Sequence, residues 1–143
     1  MKKLVYFLTV GFALSIVSIS ANAQCNADNY SNSCIPKLAS GFNFLKSYKI
    51  DGQSGAKDKV EYSYVFTKGT QYMINICSDG SNTDGIVVSL YDSKRQKVGT
   101  SLYNGQYLTA IAYPCNNTGI YYITYTFENS AKHCGGSALG FKR

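Results

Sequence analysis

The clearest pattern in the chain is the alternation of side chains along residues 118–128. Nearly every residue there is β-branched or aromatic, which favours a β-strand. Side chains alternate between the two faces of a strand, so one face of this segment is apolar or aromatic and the other becomes polar towards its end. The first face comprises Tyr121, Ile123, Tyr125 and Phe127. We therefore predict a central strand whose first face is covered by a second sheet.

Seven further segments show the period-two alternation or the short apolar runs that predict strands, and loops rich in Gly, Asn, Asp and Ser separate them. They are residues 42–50, 59–67, 70–78, 86–92, 97–103, 106–113 and 137–142. Lys68-Gly69 and Asn104-Gly105 are predicted to be hairpin turns, and Asn-Gly is a strong signal for a type I′ turn. No helix is predicted after residue 23. The predicted fold is all-β: a two-sheet antiparallel β-sandwich, jelly-roll-like or immunoglobulin-like, of about eight strands.

The first 23 residues have the pattern of a signal peptide. Two lysines precede an apolar run over residues 4–19, and Ala21-Asn22-Ala23 fits a small-x-small cleavage site. We expect a mature chain that begins at Gln24 and is secreted, periplasmic or at the cell surface of a bacterium, with no membrane span after signal removal. A retained membrane anchor and lipid attachment at Cys25 are the two alternatives. The predicted organisation is a signal peptide (1–23), a disulfide-stapled lead-in (24–41) and a β-sandwich domain (42–143).

Composition limits the possible partners. Without its two N-terminal lysines the chain keeps 12 basic and 8 acidic residues, a net charge of +4 over 120 residues. The basic residues are scattered, and only Lys94, Arg95 and Lys97 cluster, so the stripe expected of a nucleic-acid-binding protein is missing and no nucleic-acid partner is expected. The chain has 13 tyrosines and no tryptophan. Tyrosine suits both sheet surfaces and binding surfaces, because it has an apolar body and a polar tip.

Five cysteines remain after signal removal, and in an exported protein they are expected to pair. The odd number leaves at least one unpaired or joined to another molecule. Because Cys25 and Cys34 are close in sequence, we predict that they form one bridge. A second bridge is predicted between Cys115 and Cys134, which flank the central strand, with Cys77 as a buried free thiol. The alternative pairs Cys77 with Cys115 and leaves Cys134 free.

Three segments carry a resemblance to a known family. Residues 69–77, 88–92 and 118–123 read Gly-Thr-x-Tyr-x-Ile-x-Ile-Cys, Val-Ser-Leu-Tyr-Asp and Thr-Gly-Ile-Tyr-Tyr-Ile. In order and spacing they resemble the bacterial pre-peptidase C-terminal domain, a secreted β-sandwich usually appended to exported peptidases. The chain is also similar to a group of small bacterial secreted proteins with a Cys-x-x-Thr-Gly-Ile-Tyr-Tyr segment. The resemblance covers residues 45–142 and implies a non-catalytic accessory or binding module. It offers no catalytic residues to transfer.

Candidate catalytic and metal-binding residues are few. A cysteine–histidine pair would need His133 and Cys134 to meet in space, although sequence neighbours usually point apart. No catalytic residue, cofactor or metal is therefore predicted. Oxygen-bearing side chains crowd residues 79–85, and calcium binds to such oxygens. Asp79, Asn82 and Asp84 are the ligands of this calcium alternative, whereas turn chemistry alone also favours these residue types.

The predicted function is a secreted, non-catalytic accessory or interaction module of the bacterial cell envelope that binds a protein partner. The alternative is a carbohydrate-binding module that holds an envelope polysaccharide on exposed tyrosines. The ligand-binding candidates are Tyr91, Tyr103, Tyr107, Tyr113 and Tyr122. A third class, an enzyme or an inhibitor of one, would show a deep pocket or a protruding rigid loop, for which residues 79–85 and 129–136 are the candidates.

Overall fold

The computed structural model describes residues 24–79 and 83–143, so the predicted signal peptide lies outside the described residues. The described part has one α-helix, two short 3-10 turns (Ile35–Lys37 and Gln53–Gly55) and ten strands. The helix is α1 (Ala27–Cys34). The strands are β1 (Asn43–Asp51), β2 (Lys59–Phe66), β3 (Gln71–Asn75), β4 (Ile86–Tyr91), β5 (Lys97–Thr100), β6 (Leu102–Tyr103), β7 (Gln106–Tyr107), β8 (Ala110–Pro114), β9 (Gly119–Phe127) and β10 (Cys134–Lys142). None of the helices in the described ranges has the length and apolar character that crossing a membrane requires.

The strands form two four-stranded sheets and one small hairpin, all with antiparallel pairing. Sheet I has the order β1-β10-β3-β8, sheet II has the order β2-β9-β4-β5, and β6 pairs with β7. The predicted two-sheet antiparallel sandwich is confirmed. The described residues contain ten strands rather than about eight, because two of the predicted strands are each divided into a sheet strand and one arm of the hairpin.

The central strand has the predicted faces. β9 pairs with β2 on one side and β4 on the other. Tyr121, Ile123 and Tyr125 are buried in the core between the sheets, whereas Ile120 on the opposite face is 48% exposed. β4 is buried from Ile86 to Leu90, as its nearly continuous apolar sequence predicts.

The predicted hairpin at Lys68-Gly69 is wrong. β2 belongs to sheet II and β3 to sheet I, so this turn crosses from one sheet to the other. Gly69 adopts a φ of +84° and its N–H donates to the carbonyl of Cys115. The rings of Phe66 on β2 and Tyr72 on β3 stack with centroids 3.8 Å apart inside the core. The two strands therefore meet through their side chains rather than through a hydrogen-bonded ladder.

The N-terminal lead-in contains a helix, although its sequence pattern does not predict one. Ala27, Ser31 and Cys34 form the buried face of α1, with the spacing of a helix, but they are too small to give a clear apolar stripe. The helix packs directly on β10. A Cβ atom added at Gly136 would lie 2.0 Å from the backbone nitrogen of Ser31, so only glycine permits this close approach. Asn75 also fixes the helix end, because its Nδ2 donates a 2.8 Å hydrogen bond to the carbonyl of Cys34.

Both predicted disulfide pairings are wrong. The bridges join Cys25 to Cys134 and Cys34 to Cys77, and Cys115 is the buried free thiol. Cys25 precedes the eight-residue helix α1 and Cys34 is its last residue, so at about 1.5 Å per residue the helix holds their Cα atoms beyond the reach of a bridge. Cys115 and Cys134 lie at opposite ends of β9, which at about 3.3 Å per residue spans roughly 30 Å. The alternative pair of Cys77 with Cys115 is not formed either.

Candidate functional site

The five tyrosines predicted to bind ligand lie in three separate regions. Two belong to the hairpin β6–β7, two are register partners on the outer face of sheet II, and one lies on β8. In that order they are Tyr103 and Tyr107, Tyr91 and Tyr122, and Tyr113. The five rings therefore do not form the single row of stacking surfaces that the carbohydrate alternative predicts.

Tyr113 is part of the core ring cluster. Its ring centroid lies 6.4 Å from that of Phe66 and 5.6 Å from that of Tyr121. Its hydroxyl is also 3.5 Å from the hydroxyl of Tyr121. These contacts give Tyr113 a packing role, which argues against the predicted outward-facing role.

The two tyrosines on the outer face of sheet II lie beneath cationic side chains. The guanidinium of Arg95 lies 3.6 Å from the ring centroid of Tyr122, and the ammonium of Lys97 lies 5.8 Å from that of Tyr91. Cations are attracted to the faces of aromatic rings, so both contacts are favourable. Arg95 occupies the ring face of Tyr122 that a sugar would need for stacking.

Arg95 also holds a carboxylate on the same surface. Its Nη1 lies 2.8 Å from Oε1 and 3.0 Å from Oε2 of Glu61, and the hydroxyl of Thr124 donates a 2.8 Å hydrogen bond to Glu61 Oε2. Partial burial alone would raise the pKa of Glu61, but the hydrogen bonds from Thr124 and Arg95 and the charge of Arg95 lower it below its ordinary value. Glu61, Arg95 and Tyr122 thus form a surface network in which the two charged groups are paired with each other.

The hairpin β6–β7, residues Leu102–Tyr107, has the predicted type I′ turn. Asn104 and Gly105 have φ values of 49° and 74°, and positive φ at both central positions defines this turn. The base of the hairpin is fixed to sheet II. Buried Ser101 donates its N–H to the Val88 carbonyl at 2.9 Å and accepts the Val88 N–H on its Oγ at 2.9 Å, while Leu108 N–H donates to the Ser101 carbonyl at 2.7 Å.

The two tyrosines of this hairpin point to opposite sides. Tyr103 pairs with Gln106, and Leu102 pairs with Tyr107. Directly opposed residues share a face and consecutive residues alternate, so Tyr103 shares its face with Gln106 and Tyr107 shares the other with Leu102. Tyr103 is 65% exposed and Tyr107 is 38% exposed. The hairpin therefore presents a single prominent aromatic ring on each side.

A pair of loops lies beside Tyr107. Tyr107 lines a shallow pocket of about 300 Å³ together with Thr83, Asp84, Gly85 and Asn129. A Cβ atom added at Gly85 would lie 2.4 Å from the backbone of Asn129, so the two loops meet at van der Waals distance. The hairpin and both loops predicted as possible inhibitor loops thus share one region of the surface.

Asp84, one of the three residues of the calcium alternative, ties these loops together. Its carboxylate accepts hydrogen bonds from Ser130 Oγ at 2.9 Å and from the backbone N–H groups of residues 131–132 at 3.4 and 3.1 Å. Asp79 forms an ion pair with Lys132. Asn82 lies outside the described residues. Within the described ranges no group of three His, Cys, Asp or Glu side chains is arranged to hold a metal ion.

A groove of about 830 Å³ lies beside the Cys25–Cys134 bridge, and Asp51 and His133 contribute to its lining. The Nδ1 atom of His133 is buried and has no hydrogen-bond partner among the described residues. The sulfur of Cys134 is bonded to Cys25, so it cannot serve as a thiolate nucleophile for His133. The same bridge engages the thiol that lipid attachment at Cys25 would require.

Several exposed apolar side chains lie outside the predicted candidate residues. Val65 and Ile120 are register partners on β2 and β9, 57% and 48% exposed, and Phe44 and Leu108 are also exposed. The signal for the first two was present in the sequence, because the alternation places both on outward-facing positions.

Comparison with known proteins does not assign the chain to a family. No protein-family model matches the chain, so the resemblance to the pre-peptidase C-terminal domain stays a prediction. No curated protein matches it either. Among solved structures, the chain is similar to PliG of Aeromonas hydrophila, described as a periplasmic lysozyme inhibitor of g-type lysozyme. The two share 16% sequence identity at a TM-score of 0.45, over 73% of this chain and 91% of PliG. At these values the similarity carries no argument about function.

Proposed function

We propose that this chain is an exported, non-catalytic β-sandwich that binds a protein partner in the bacterial cell envelope through the hairpin Leu102–Tyr107. The observation that supports this most is the exposure of Tyr103, a large aromatic side chain beside the type I′ turn of an exposed hairpin. Tyrosine is enriched at the centres of protein interfaces, where its ring is buried and its hydroxyl finds a partner.

Rigidity of the hairpin favours binding. The type I′ turn and the hydrogen bonds at Ser101 hold the backbone in one conformation before any partner is present. Association then costs little ordering of the chain, so more of the contact energy contributes to affinity. Beside the hairpin, Ser130 and the backbone of Lys132 are also held in advance by the hydrogen bonds that Asp84 accepts.

The placement of one tyrosine on each side of the hairpin suits binding in a protein cleft better than binding to a flat polysaccharide. Because Tyr103 and Tyr107 point to opposite sides, one sugar chain cannot stack on both. A hairpin inserted into a cleft uses both sides at once, together with Leu108, which is 41% exposed. The carbohydrate alternative keeps one supporting observation, since Tyr103 shares its face with the amide of Gln106.

Export agrees with the cysteine chemistry. Two disulfides lie within residues 24–143, and such bridges are typical of oxidising compartments and of secreted and periplasmic proteins. Both bridges hold the N-terminal segment against the sandwich, through the start of β10 and the residue Cys77 beyond β3. We therefore propose a secreted, periplasmic or cell-surface location.

Native gel electrophoresis of residues 24–143 tests this function. The wild type, Tyr103→Ala and the matched control Phe44→Ala, which removes an exposed ring from β1, are mixed with fractionated envelope proteins or polysaccharides, including peptidoglycan fragments. A g-type lysozyme is included as one test protein. We expect a shift with a protein fraction that Tyr103→Ala loses and Phe44→Ala keeps. Retardation by a polysaccharide that Tyr103→Ala loses would favour the carbohydrate alternative. A protein shift unaffected by Tyr103→Ala would contradict the proposed site.

A further inference from the structure

The two sheets of the described structure have four edge strands, and three of them carry features that discourage pairing with another chain. β8 has five residues and ends in Pro114. β5 has four residues, and a register shift interrupts its pairing with β4. β1 has a register shift after Phe44 and carries Lys46 and Lys49. Short length, proline, irregular pairing and lysine are the devices that keep sheet edges unpaired.

The fourth edge, β2, has only one of these devices, a lysine at its first position, Lys59. It has eight residues with no Pro or Gly, and it pairs with β9 along its whole length without a register shift. We find no hydrogen bond from the described loops or side chains to the backbone of β2 on its free side. By contrast, the hydroxyl of Tyr62 caps the neighbouring edge, because it donates a 2.7 Å hydrogen bond to the Lys49 carbonyl of β1. The free edge of β2 therefore offers a row of unpaired N–H and C=O groups.

A shallow pocket adjoins this edge. It has a volume of about 400 Å³ and is lined by Ser63, Tyr64, Val65 and Ile120. Val65 and Ile120 form an exposed apolar pair across β2 and β9. In binding by strand addition, main-chain hydrogen bonds supply affinity and pockets for alternate side chains supply specificity. The free edge of β2 offers the main-chain groups, and the adjoining pocket offers a site for a side chain.

We propose that β2 binds an extended peptide segment of a partner protein, which adds a strand to sheet II. The segment places an apolar side chain in the pocket at Val65. Lys59 lies on the same face six positions away and forms no ion pair among the described residues. Its charge also acts on Glu61, but Arg95 holds that carboxylate directly. An acidic side chain of the segment therefore faces Lys59. A second copy of β2 fits less well, because it would have to supply this carboxylate from Glu61, which Arg95 already holds.

This surface is separate from the hairpin. β2 and β5 are the opposite edges of sheet II, and the hairpin follows β5 in the chain. The inference therefore goes beyond the proposed function, and a failure of one does not affect the other.

Fluorescence anisotropy with a synthetic strand tests the inference. The probe is a labelled peptide of alternating Thr and Val that carries a leucine and, six residues later, a glutamate. We expect binding to the protein that falls at least about tenfold, or 1.4 kcal/mol, in Val65→Lys. Val65 is largely exposed, so this variant keeps its fold. Phe44→Lys on β1 and Tyr103→Ala on the hairpin should bind like the wild type.

A second probe separates strand addition from nonspecific adhesion. The same peptide with N-methyl groups on alternate residues cannot donate the main-chain hydrogen bonds and should not bind. Absence of binding by the first probe, or binding that survives N-methylation or Val65→Lys, would overturn the proposal. A concentration-dependent dimer in sedimentation that Val65→Lys abolishes would also overturn it, since a second copy would then occupy the edge.

Discussion

Tyr125 on β9 and Ser137 on β10 join the two sheets through a buried hydrogen bond of 2.7 Å, from the tyrosine hydroxyl to the serine Oγ. Both residues are fully buried. A polar contact in the middle of an apolar core stabilises the fold only while both partners are present, because either group left alone keeps its desolvation penalty.

Tyr125→Phe should destabilise the protein. The substitution leaves the buried Ser137 hydroxyl without a partner, which typically costs about 1–3 kcal/mol of unfolding free energy. Urea denaturation of the two proteins measures the difference. Equal midpoints would show that the hydroxyl pair contributes nothing.

Tyr48→Phe should change the unfolding free energy in the opposite direction and stabilise the protein. The Tyr48 hydroxyl is buried and has no hydrogen-bond partner within residues 24–79 and 83–143. Its removal relieves a desolvation penalty without breaking a bond, so we expect a gain of about 1 kcal/mol. The same denaturation experiment compares it with Tyr125→Phe. A loss as large as that of Tyr125→Phe would contradict the distinction between the two hydroxyls.

The pattern of alternation predicted the faces of β9 but not its partners. Period two determines which side chains share a face, and this alternation alone predicts that Tyr125 and Ile123 face inward. Sheet order depends instead on contacts distant in sequence. The turn at Lys68-Gly69 has the composition of a hairpin, yet it joins two sheets, because the ring of Phe66 stacks on Tyr72 across the core.

Prediction of the disulfide pairing also requires the sheet order, which the sequence pattern does not reveal. β10 lies between β1 and β3, which brings Cys134 beside Cys25 and Cys77 beside the end of α1. Proximity along the chain could not reveal this order. The buried face of α1 was also hidden, because it consists of small residues that pack on Gly136. In the candidate site, Asn104-Gly105 did identify the hairpin, since local turn chemistry determines it.

Removal of the Cys34–Cys77 bridge should lower stability more than removal of the free thiol. The bridge closes a sequence separation of 43 residues and fixes α1 to the sandwich. Loop-closure arguments assign such a bridge about 4 kcal/mol, and measured effects are commonly about 2–4 kcal/mol. The double variant Cys34→Ala/Cys77→Ala is compared with Cys115→Ala in urea under non-reducing conditions.

A thiol titration of the wild type should find one reactive thiol per chain, and only after unfolding. Two or more would contradict the pairing.

Glu61 should make stability depend on pH in the acid range. Its folded pKa is lowered from the ordinary 4.5, so the ionised carboxylate stabilises the folded state above that value, and this contribution is lost as the pH falls through the lowered folded pKa. We expect the unfolding free energy of Glu61→Gln to fall less steeply than that of the wild type below about pH 5. Arg95→Gln should flatten the profile in the same direction. Identical dependence of the unfolding free energy on pH in all three proteins would contradict a stabilising contribution from the Glu61–Arg95 pair.

Tyr103→Ala should leave stability almost unchanged. The side chain is 65% exposed, and surface substitutions of this kind usually change the unfolding free energy by less than about 0.5 kcal/mol. Loss of binding in this variant would therefore report on the contact itself rather than on the fold. Thermal unfolding of the purified variant provides the check, and a large drop in its midpoint would assign Tyr103 a structural role.

The most direct test of the proposed protein-binding role is site-specific photo-crosslinking in cells that export the protein. A photoreactive phenylalanine analogue replaces Tyr103 in one variant and Phe44, on the exposed edge strand β1, in the control. We expect a discrete cross-linked protein from position 103 that position 44 does not give. The same cross-linked species from both positions, or none from position 103 in a protein that is correctly exported and folded, would contradict this role.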